Sequence, residues 1–226
     1  SGLVESNSLA FYGSKDFDKM YLKGALSYDW LDAETRRFAF VEGSTAPIIP
    51  VAGVANNLQA QFDGKTFNGR LEAGYKTNWK KLNITPFAGV QLSFAKIGAA
   101  TETAAESDDA LALAYSKNDA YSAPVFVGAQ IDSMFMLSEG SIQPYAKLSF
   151  AHDFSTKRAM EASFVSAPGY KFEVQGAVPD ANTMDVNLGF KMTSITNLAF
   201  YGQFNGQYSE NGAKNEGGTL GLEVHW

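Results

Sequence analysis

The chain has 226 residues and a formal net charge of −6, with no cysteine and two histidines, His152 and His225. The acidic balance leaves no excess of basic side chains to neutralise phosphates, so nucleic acid is not an expected partner. Without cysteine, the sequence excludes disulfides, thiolate metal sites and thiol catalysis. We therefore expect no metal site and no cofactor.

The hydropathy pattern excludes one class of membrane protein and leaves another open. No uninterrupted apolar run approaches the roughly 18 residues that a spanning helix needs. A membrane β-barrel is compatible with the sequence, because its strands are apolar on one face only. The first residues lack the charged segment and apolar core of a secretory signal, so we expect either a cytosolic chain or the trimmed part of a longer one.

Apolar and polar residues alternate with period two along most of the chain, which is typical of strands with one apolar face. Residues 20–30 illustrate the pattern, with Leu22, Leu26 and Trp30 on one face and charged or small polar residues on the other. No segment of ten or more residues shows a capped helical period. About nine strands are predicted, near 7–13, 20–30, 69–77, 82–94, 122–136, 142–154, 184–192, 198–207 and 219–226.

The connections between these strands alternate in length. Tight turns are predicted at 15–18, 78–81, 137–140 and 194–197, and long loops at 42–57, 97–120, 156–181 and 209–215. In an antiparallel meander, alternate connections emerge at the same end. The pattern therefore predicts one end with tight turns and one with long loops, as in outer-membrane barrels.

The long loops differ in character. Residues 101–109 are acidic, which predicts a solvated and mobile loop, and 46–53 are apolar but contain two prolines, so they cannot form an interior strand. In 156–181, alternation at Tyr170, Phe172 and Val174 predicts a hairpin that extends beyond the membrane.

A soluble β-sandwich or lipocalin-like barrel would also alternate, but two features favour a membrane barrel. The apolar face is nearly free of charge, whereas the polar face carries long side chains able to fill a watery lumen. Aromatic residues also gather near strand ends, as an interfacial girdle requires.

The C-terminal strand adds a third feature, because it resembles the assembly signal of outer-membrane β-barrels. The matching positions are Thr219, Gly221, Val224 and the terminal Trp226. Val224 is aliphatic where an aromatic residue is often found. The resemblance implies recognition by the barrel-assembly machinery through strand addition to an exposed sheet edge.

The order of segments resembles the translocator β-domain of type V autotransporters. The segments that carry the resemblance are 11–14, 21–28 with 36–37, 69–75, 84–91, 142–147 with 151–153, and 217–226. The resemblance implies a twelve-stranded barrel in the outer membrane of a Gram-negative bacterium. Its lumen would be threaded by a helix that joins an N-terminal passenger to the first strand. The implied partners are outer-membrane lipid, the barrel-assembly machinery and the covalently linked passenger.

The strand count differs from that of the family. We expect residues 1–226 to form a single all-β domain, an antiparallel up-and-down transmembrane barrel that resembles the last nine of twelve strands. Single-chain bacterial barrels close with an even number of strands. The chain is therefore expected to be a fragment that lacks three strands and the lumen helix, unless strand 7–13 is miscounted.

Candidate catalytic groups are few, and we expect no enzymatic activity. Alternation places His152 and Asp153 on opposite faces, so they cannot act together without a bulge. The charged residues expected to face the lumen are Arg70, Glu72, Lys147, Asp153 and Lys191.

Three functions remain open at this point. The leading hypothesis is a translocator and anchor that delivers a passenger to the cell surface. The alternative is a stand-alone outer-membrane protein, porin-like or with function in its loops. The third is a soluble β-sandwich binding module.

Overall fold

The computed structural model describes residues 1–43, 53–104, 109–156, 158–176, 178–194 and 198–224. Within those ranges the protein is all-β and its strand pairs are antiparallel. Across the same ranges, no helix has the length and apolarity required to cross a membrane.

Seventeen strands make up the described part of the chain, the two longest being the 22-residue strands β2 and β3. In chain order they are β1 (Gly2–Phe17), β2 (Met20–Val41), β3 (Val54–Tyr75), β4 (Thr77–Trp79), β5 (Leu82–Ile97), β6 (Ala100–Thr101), β7 (Thr103–Ala104), β8 (Leu113–Tyr115), β9 (Asn118–Ser122), β10 (Pro124–Asp132), β11 (Phe135–Leu137), β12 (Gly140–Asp153), β13 (Ala159–Phe164), β14 (Ala167–Gln175), β15 (Asn182–Ser194), β16 (Leu198–Ser209) and β17 (Lys214–Val224).

One large sheet contains the predicted meander. Its path runs β1, β2, β3, β5, β10, β12, β15, β16, β17, so the nine expected strands follow one another in chain order. The first strand is longer than the predicted 7–13. The predicted strand 122–136 is divided among β9, β10 and β11. Proline at position 124 has no backbone N–H to donate, which fits a break in the ladder there.

A second sheet lies in the two longest loops. It has four strands in the order β14, β13, β8, β6. The predicted hairpin in 156–181 is found as β13 and β14, whereas 97–120 contains paired strands in place of an extended solvated loop. The prediction of a solvated loop at 101–109 is therefore wrong at Glu102, which is buried; residues 105–108 lie outside the described part of the chain.

The connections of the large sheet alternate in length, as predicted. Tight turns join β1 to β2 and β4 to β5, and each contains a non-glycine residue with positive φ, 53° at Asp18 and 57° at Lys80. The prediction of a long loop at 209–215 is wrong, because only residues 210–213 separate β16 from β17. The proline-containing stretch 46–53 and the predicted turn at 194–197 lie almost entirely outside the described residues.

The large sheet is curled, with its polar face on the concave side. Lys147 on β12 reaches Glu72 on β3 across the two intervening strands β5 and β10, with Nζ 3.3 Å from Oε2. Neighbouring strands lie about 4.8 Å apart, so side chains on a flat sheet would not span three strand spacings. The apolar residues of the alternating pattern therefore cover the convex side.

Among the described strands, each edge strand of this sheet has a single pairing partner. Within the described ranges β1 pairs with β2 and β17 with β16. Because nine strands alternate in direction, the first and the last run the same way.

Candidate functional site on the concave face

Glu72 lies at the centre of a polar cluster on the concave face. Although it is a carboxylate on a strand, only 5% of it is exposed. Tyr21 on β2 donates its hydroxyl to Glu72 Oε1 at 2.8 Å. Lys147 donates to Oε2 at 3.3 Å, and Arg70 Nη2 lies 3.6 Å from the same oxygen. A buried carboxylate needs such partners, because desolvation disfavours its charged form.

Three cations of this cluster lie over aromatic rings. The Arg70 guanidinium is 3.9 Å from the centroid of the Phe126 ring, and Lys147 Nζ is 4.2 Å from that of Phe87. Lys23 Nζ lies 4.6 Å from the centroid of Tyr21. Ring faces attract cations and restrict their side-chain rotamers. The cluster therefore holds three cations around one carboxylate in a defined arrangement.

The rings themselves lie over glycines of neighbouring strands. Phe87 pairs with Gly128 in the β5–β10 register, and a Cβ added at Gly128 would lie 2.5 Å from the ring. The same arrangement places Tyr21 over Gly74 and Phe126 over Gly89. Glycine leaves space for an aromatic side chain to lie flat against the sheet.

Sequence reasoning missed these aromatic residues as part of the site. Tyr21, Phe87 and Phe126 are apolar or amphipathic side chains on the polar face, so alternation gives no reason to select them. Each one faces a glycine in the adjacent strand, but that signal can be read only once the register is known.

The structure brings together three of the five charged residues that were expected to face one lumen. Arg70, Glu72 and Lys147 are in contact. Asp153 lies on the same face near the loop end, where it accepts hydrogen bonds from Ser122 Oγ at 2.5 Å and Ala123 N at 3.0 Å. Lys191, also on this face, forms a separate ion pair with Glu223 at 2.8 Å.

A second buried glutamate lies at the loop end, in the segment expected to be solvated. Glu102 is 3% exposed, and Arg37 on β2 donates to its two oxygens from Nε and Nη2, each at 2.7 Å. Leu113 N donates at 2.8 Å and the Tyr115 hydroxyl at 3.0 Å. Glu102 thus joins the extended end of β2 to strand β8 of the second sheet.

The electrostatics of this loop-end cluster follow from its hydrogen bonds. Burial disfavours the charged form of Glu102, but hydrogen bonds from Arg37 and the Leu113 N–H outweigh it, so the pKa of the carboxyl lies below its ordinary value. Its hydrogen bonds with Glu102 also raise the pKa of Arg37 above its usual range. Both groups are therefore charged at neutral pH.

The candidate His152–Asp153 pair is separated by the fold. His152 Nδ1 lies 2.8 Å from Asn182 Oδ1, whereas Asp153 is bonded to Ser122 and to backbone N–H groups. In the described ranges, no group of three or more His, Cys, Asp or Glu residues is arranged to hold a metal ion.

The convex face is exposed and apolar. Leu71, Val127 and Leu148 are 48%, 55% and 53% exposed, and they share this face with the other alternating aliphatic and aromatic residues. A continuous exposed apolar surface of this kind marks contact with another apolar phase or a partner.

Comparison with known proteins identifies the family. The family model described as the autotransporter β-domain matches residues 1–205. The chain belongs to this autotransporter β-domain family. Membership gives it the general role of a translocator or membrane anchor. No curated protein matches the chain in sequence.

A solved autotransporter structure has a similar fold. The translocator domain of autotransporter NalP from Neisseria meningitidis aligns with a TM-score of 0.64 and 14% sequence identity, covering 98% of this chain and 68% of that one. At this identity the likeness concerns the fold. Together with the curled antiparallel sheet, this likeness confirms the expected fold class, an antiparallel β-barrel. It does not support the alternative of a β-sandwich.

Three of the four positions that resemble an assembly signal lie on β17, the last strand of the described residues. Thr219, Gly221 and Val224 are in β17, and Trp226 lies outside the described residues. Thr219 and Gly221 lie on the concave face, where the Tyr201 ring covers Gly221. On the opposite face Leu220, Leu222 and Val224 are all exposed.

Proposed function

We propose that the chain is the translocator β-barrel of an autotransporter, seated in the outer membrane of a Gram-negative bacterium, where it anchors an N-terminal passenger and delivers it to the cell surface. The observation that carries the proposal is the division of one curled sheet into an apolar convex face and a charged concave face. In lipid, an outward apolar face with an inward polar face is the arrangement of a membrane barrel. Residues 1–226 act in this proposal as a single domain.

In this proposal Arg70, Glu72, Lys147, Asp153 and Lys191 face the lumen. A charged side chain on the lipid face would cost roughly 2–4 kcal/mol at mid-membrane, whereas a water-filled lumen accommodates it. Ion pairs across strands join Lys147 to Glu72 and Lys191 to Glu223, and a pair within β3 joins Arg70 to Glu72, so these charged side chains have partners on the lumen wall.

The lengths of β2 and β3 support the proposal that the loop end of the sheet projects from the membrane at the cell surface. Each has 22 residues, about twice the roughly 9–11 residues that a tilted strand needs to cross the bilayer. If the tight turns lie at the periplasmic side, the Arg37–Glu102 cluster and the second sheet lie beyond the membrane on the outside.

Closure of the barrel in this proposal uses strands beyond the nine. Because β1 and β17 run in the same direction, antiparallel closure takes an odd number of additional strands. The three strands expected from the family satisfy this condition. An unpaired edge in the hydrocarbon layer would leave backbone N–H and C=O groups without partners, at a cost of several kcal/mol for each group.

The partners in this proposal are outer-membrane lipid, the barrel-assembly machinery and the covalently linked passenger. Strand β17 is an exposed edge of the described sheet, which suits recognition of the Thr219, Gly221, Val224 and Trp226 positions by strand addition. Replacing Trp226 with Ser is expected to abolish assembly in the outer membrane, while Asn211→Ser in the β16–β17 turn leaves it unchanged. Normal membrane fractionation of the Trp226→Ser variant would contradict this assignment.

Passenger delivery is tested in cells that express the parent chain with an epitope placed before Ser1. Protease added to intact cells is expected to remove the epitope when the barrel is wild type or carries Gly217→Ala, where an added Cβ meets no atom within 4 Å. With Gly128→Val the epitope should stay protected. An epitope that stays in the periplasm while the wild-type barrel assembles would favour a stand-alone barrel instead.

A further inference from the structure

Strand β14 is an edge strand in the sheet at the loop end. It pairs with β13 on one side, and no described strand pairs with its other side. A register shift between Ser163 and Phe164 on β13 marks one end of the regular pairing, which runs from Lys171 to Gln175 on β14. Exposed edges of this kind are templates for pairing with another strand.

The hydrogen-bond pattern shows which groups of β14 face outward. Gly176 N donates to Arg158 O at 2.9 Å, and Ser116 N donates to Glu161 O at 2.9 Å. Bonded and non-bonded pairs alternate in an antiparallel ladder, so Phe172 and Val174 bond to β13. The backbone N–H and C=O groups of Lys171, Glu173 and Gln175 therefore point toward the free edge.

The charges on β14 are incompletely balanced within the molecule. Glu173 lies directly opposite Glu161 in the β13–β14 register, and like charges in that position are unfavourable. Lys171 pairs with Glu161 at 2.7 Å. Among the described residues no cation lies within salt-bridge distance of Glu173. A further cation from outside would relieve the pair of carboxylates.

The apolar side of β14 is also partly uncovered. Phe172 is 38% exposed and its ring contacts Phe164, with centroids 5.6 Å apart. Tyr170 is 81% exposed. The inner part of the same sheet, by contrast, buries Leu113 and Ala162.

We propose that β14 pairs antiparallel with β14 of a second copy of this chain, with Phe172 opposite its own symmetry mate. This register places Lys171 opposite the partner's Glu173 and Glu173 opposite the partner's Lys171. Both are outward-facing residues, so each pair exchanges two backbone hydrogen bonds. Tyr170 then lies opposite the partner's Val174 on the apolar side.

Neighbouring registers are disfavoured by charge. In the new ladder, outward-facing residues must oppose one another. The nearest other registers that meet this condition place either Lys171 opposite Lys171 or Glu173 opposite Glu173. Like charges directly opposite destabilise a strand pair. The register centred on Phe172 places Lys171 and Glu173 opposite each other, and it supplies a cation to Glu173, which has none within salt-bridge distance among the described residues.

Disulfide trapping tests the register, because the chain has no cysteine. In the proposed pair the two copies of residue 172 have Cα atoms about 4.5–5.5 Å apart, within the range of a disulfide. We expect Phe172→Cys to form a covalent dimer under mild oxidation of the full chain in detergent. The matched control is Tyr170→Cys, which is more exposed but would lie about 13 Å from its mate, four residues of rise away.

The outcomes separate the proposal from random collision. A dimer with Phe172→Cys and a monomer with Tyr170→Cys support the register. Equal yields from the two variants would overturn it, as would a Phe172→Cys protein that keeps its far-ultraviolet circular dichroism and remains monomeric.

Charge exchange provides a second test that keeps Phe172 intact. Glu173→Lys places Lys opposite Lys at two symmetric positions and should weaken the dimer about tenfold in sedimentation experiments. The double variant Lys171→Glu and Glu173→Lys restores opposite charges between copies. It also places the introduced lysine opposite Glu161 within the hairpin. Recovery of wild-type association in the double variant is expected. If the single variant associates like the wild type, or the double variant fails to recover, the β14–β14 pairing in this register is overturned.

Discussion

Two buried glutamates lie in two regions of the molecule that are held together in different ways. Glu72 and Glu102 are each almost fully buried, and each accepts a hydrogen bond from a tyrosine hydroxyl and lies beside a cation. Glu72 joins strands of the large sheet across its concave face, whereas Glu102 joins the end of β2 to strands formed by loop residues.

The difference concerns what holds each cluster in place. The partners of Glu72 are positioned by the ladder of the large sheet and by aromatic rings over glycines, so the cluster depends on register. The partners of Glu102 depend more on the carboxylate itself, because the β6–β8 pairing beside it is short and Arg37 reaches this sheet from β2 through side-chain hydrogen bonds to Glu102 and to the Leu111 carbonyl oxygen. We therefore expect the Glu72 region to tolerate loss of its carboxylate better than the Glu102 region.

The largest effect is expected from a substitution that disrupts the strand packing around the Glu72 cluster. A side chain at Gly128 would collide with the Phe87 ring and with the Leu148 carbonyl oxygen, and that backbone oxygen cannot withdraw without moving β12. Gly128→Val is expected to destabilise the fold by about 3 kcal/mol or more, as overpacking against backbone does. Urea unfolding in detergent measures this effect. Gly217→Ala is the control, and a Gly128→Val protein as stable as that control would contradict the packing argument.

The next largest effect is expected from removal of the Glu102 carboxylate in the loop-end region. Glu102→Ala leaves the Leu113 N–H and the Tyr115 hydroxyl without their acceptor. It also removes both hydrogen bonds from Arg37 to the carboxylate, whereas the bond from Arg37 Nη2 to the Leu111 carbonyl oxygen remains. Because Arg37 remains 37% exposed, we expect a local cost of about 2 kcal/mol, below that of breaking a fully buried pair. Hydrogen exchange should show lost protection at 98–104, 113–115 and 159–175 while β10 and β12 stay protected.

The control for this variant is Glu161→Gln, which removes an exposed carboxylate of the same sheet. It should leave exchange in these segments nearly unchanged. Loss of protection throughout the large sheet in Glu102→Ala would show that the two regions unfold together.

A smaller effect is expected from Glu72→Gln. The amide keeps an acceptor for the Tyr21 hydroxyl, and the cations of the cluster retain their rings and access to water. We expect a loss of roughly 1 kcal/mol in the free energy of unfolding, measured in urea as for Gly128→Val. If Glu72→Gln costs more than Glu102→Ala, the contrast between a ladder-held and a carboxylate-held cluster is wrong.

The smallest effect is the response of the loop end to pH. The pKa of Glu102 is lowered in the folded protein, so its contribution is fully present above the ordinary glutamate pKa of about 4.3 and is lost as the pH falls through the lower, folded value. Exchange protection at 113–115 should be constant from neutral pH to about 4.5 and fall below it, after correction for the intrinsic exchange rate. Glu102→Gln does not titrate and should not show this fall; an equal fall in both proteins would assign it to other carboxyl groups.

The sequence alone determined the fold class, the strand order and the two faces. Period-two alternation assigns each residue of a strand to one face whatever the register, so Arg70, Glu72 and Lys147 could be placed together on the polar side before any contact was known. The lengths of the connections likewise indicated a tight end and a loop end, with the β16–β17 turn as the exception.

Only the tertiary structure decided which of these residues meet. Glu72 and Lys147 are 75 positions apart, and their contact requires both the register of four strands and the curl of the sheet. The burial of Glu102 was not predictable from its acidic segment. It depends on hydrogen bonds that Arg37 and the Leu113 N–H donate to the carboxylate from other strands. Alternation is a local property of the backbone, whereas register, curl and loop packing depend on residues distant in sequence.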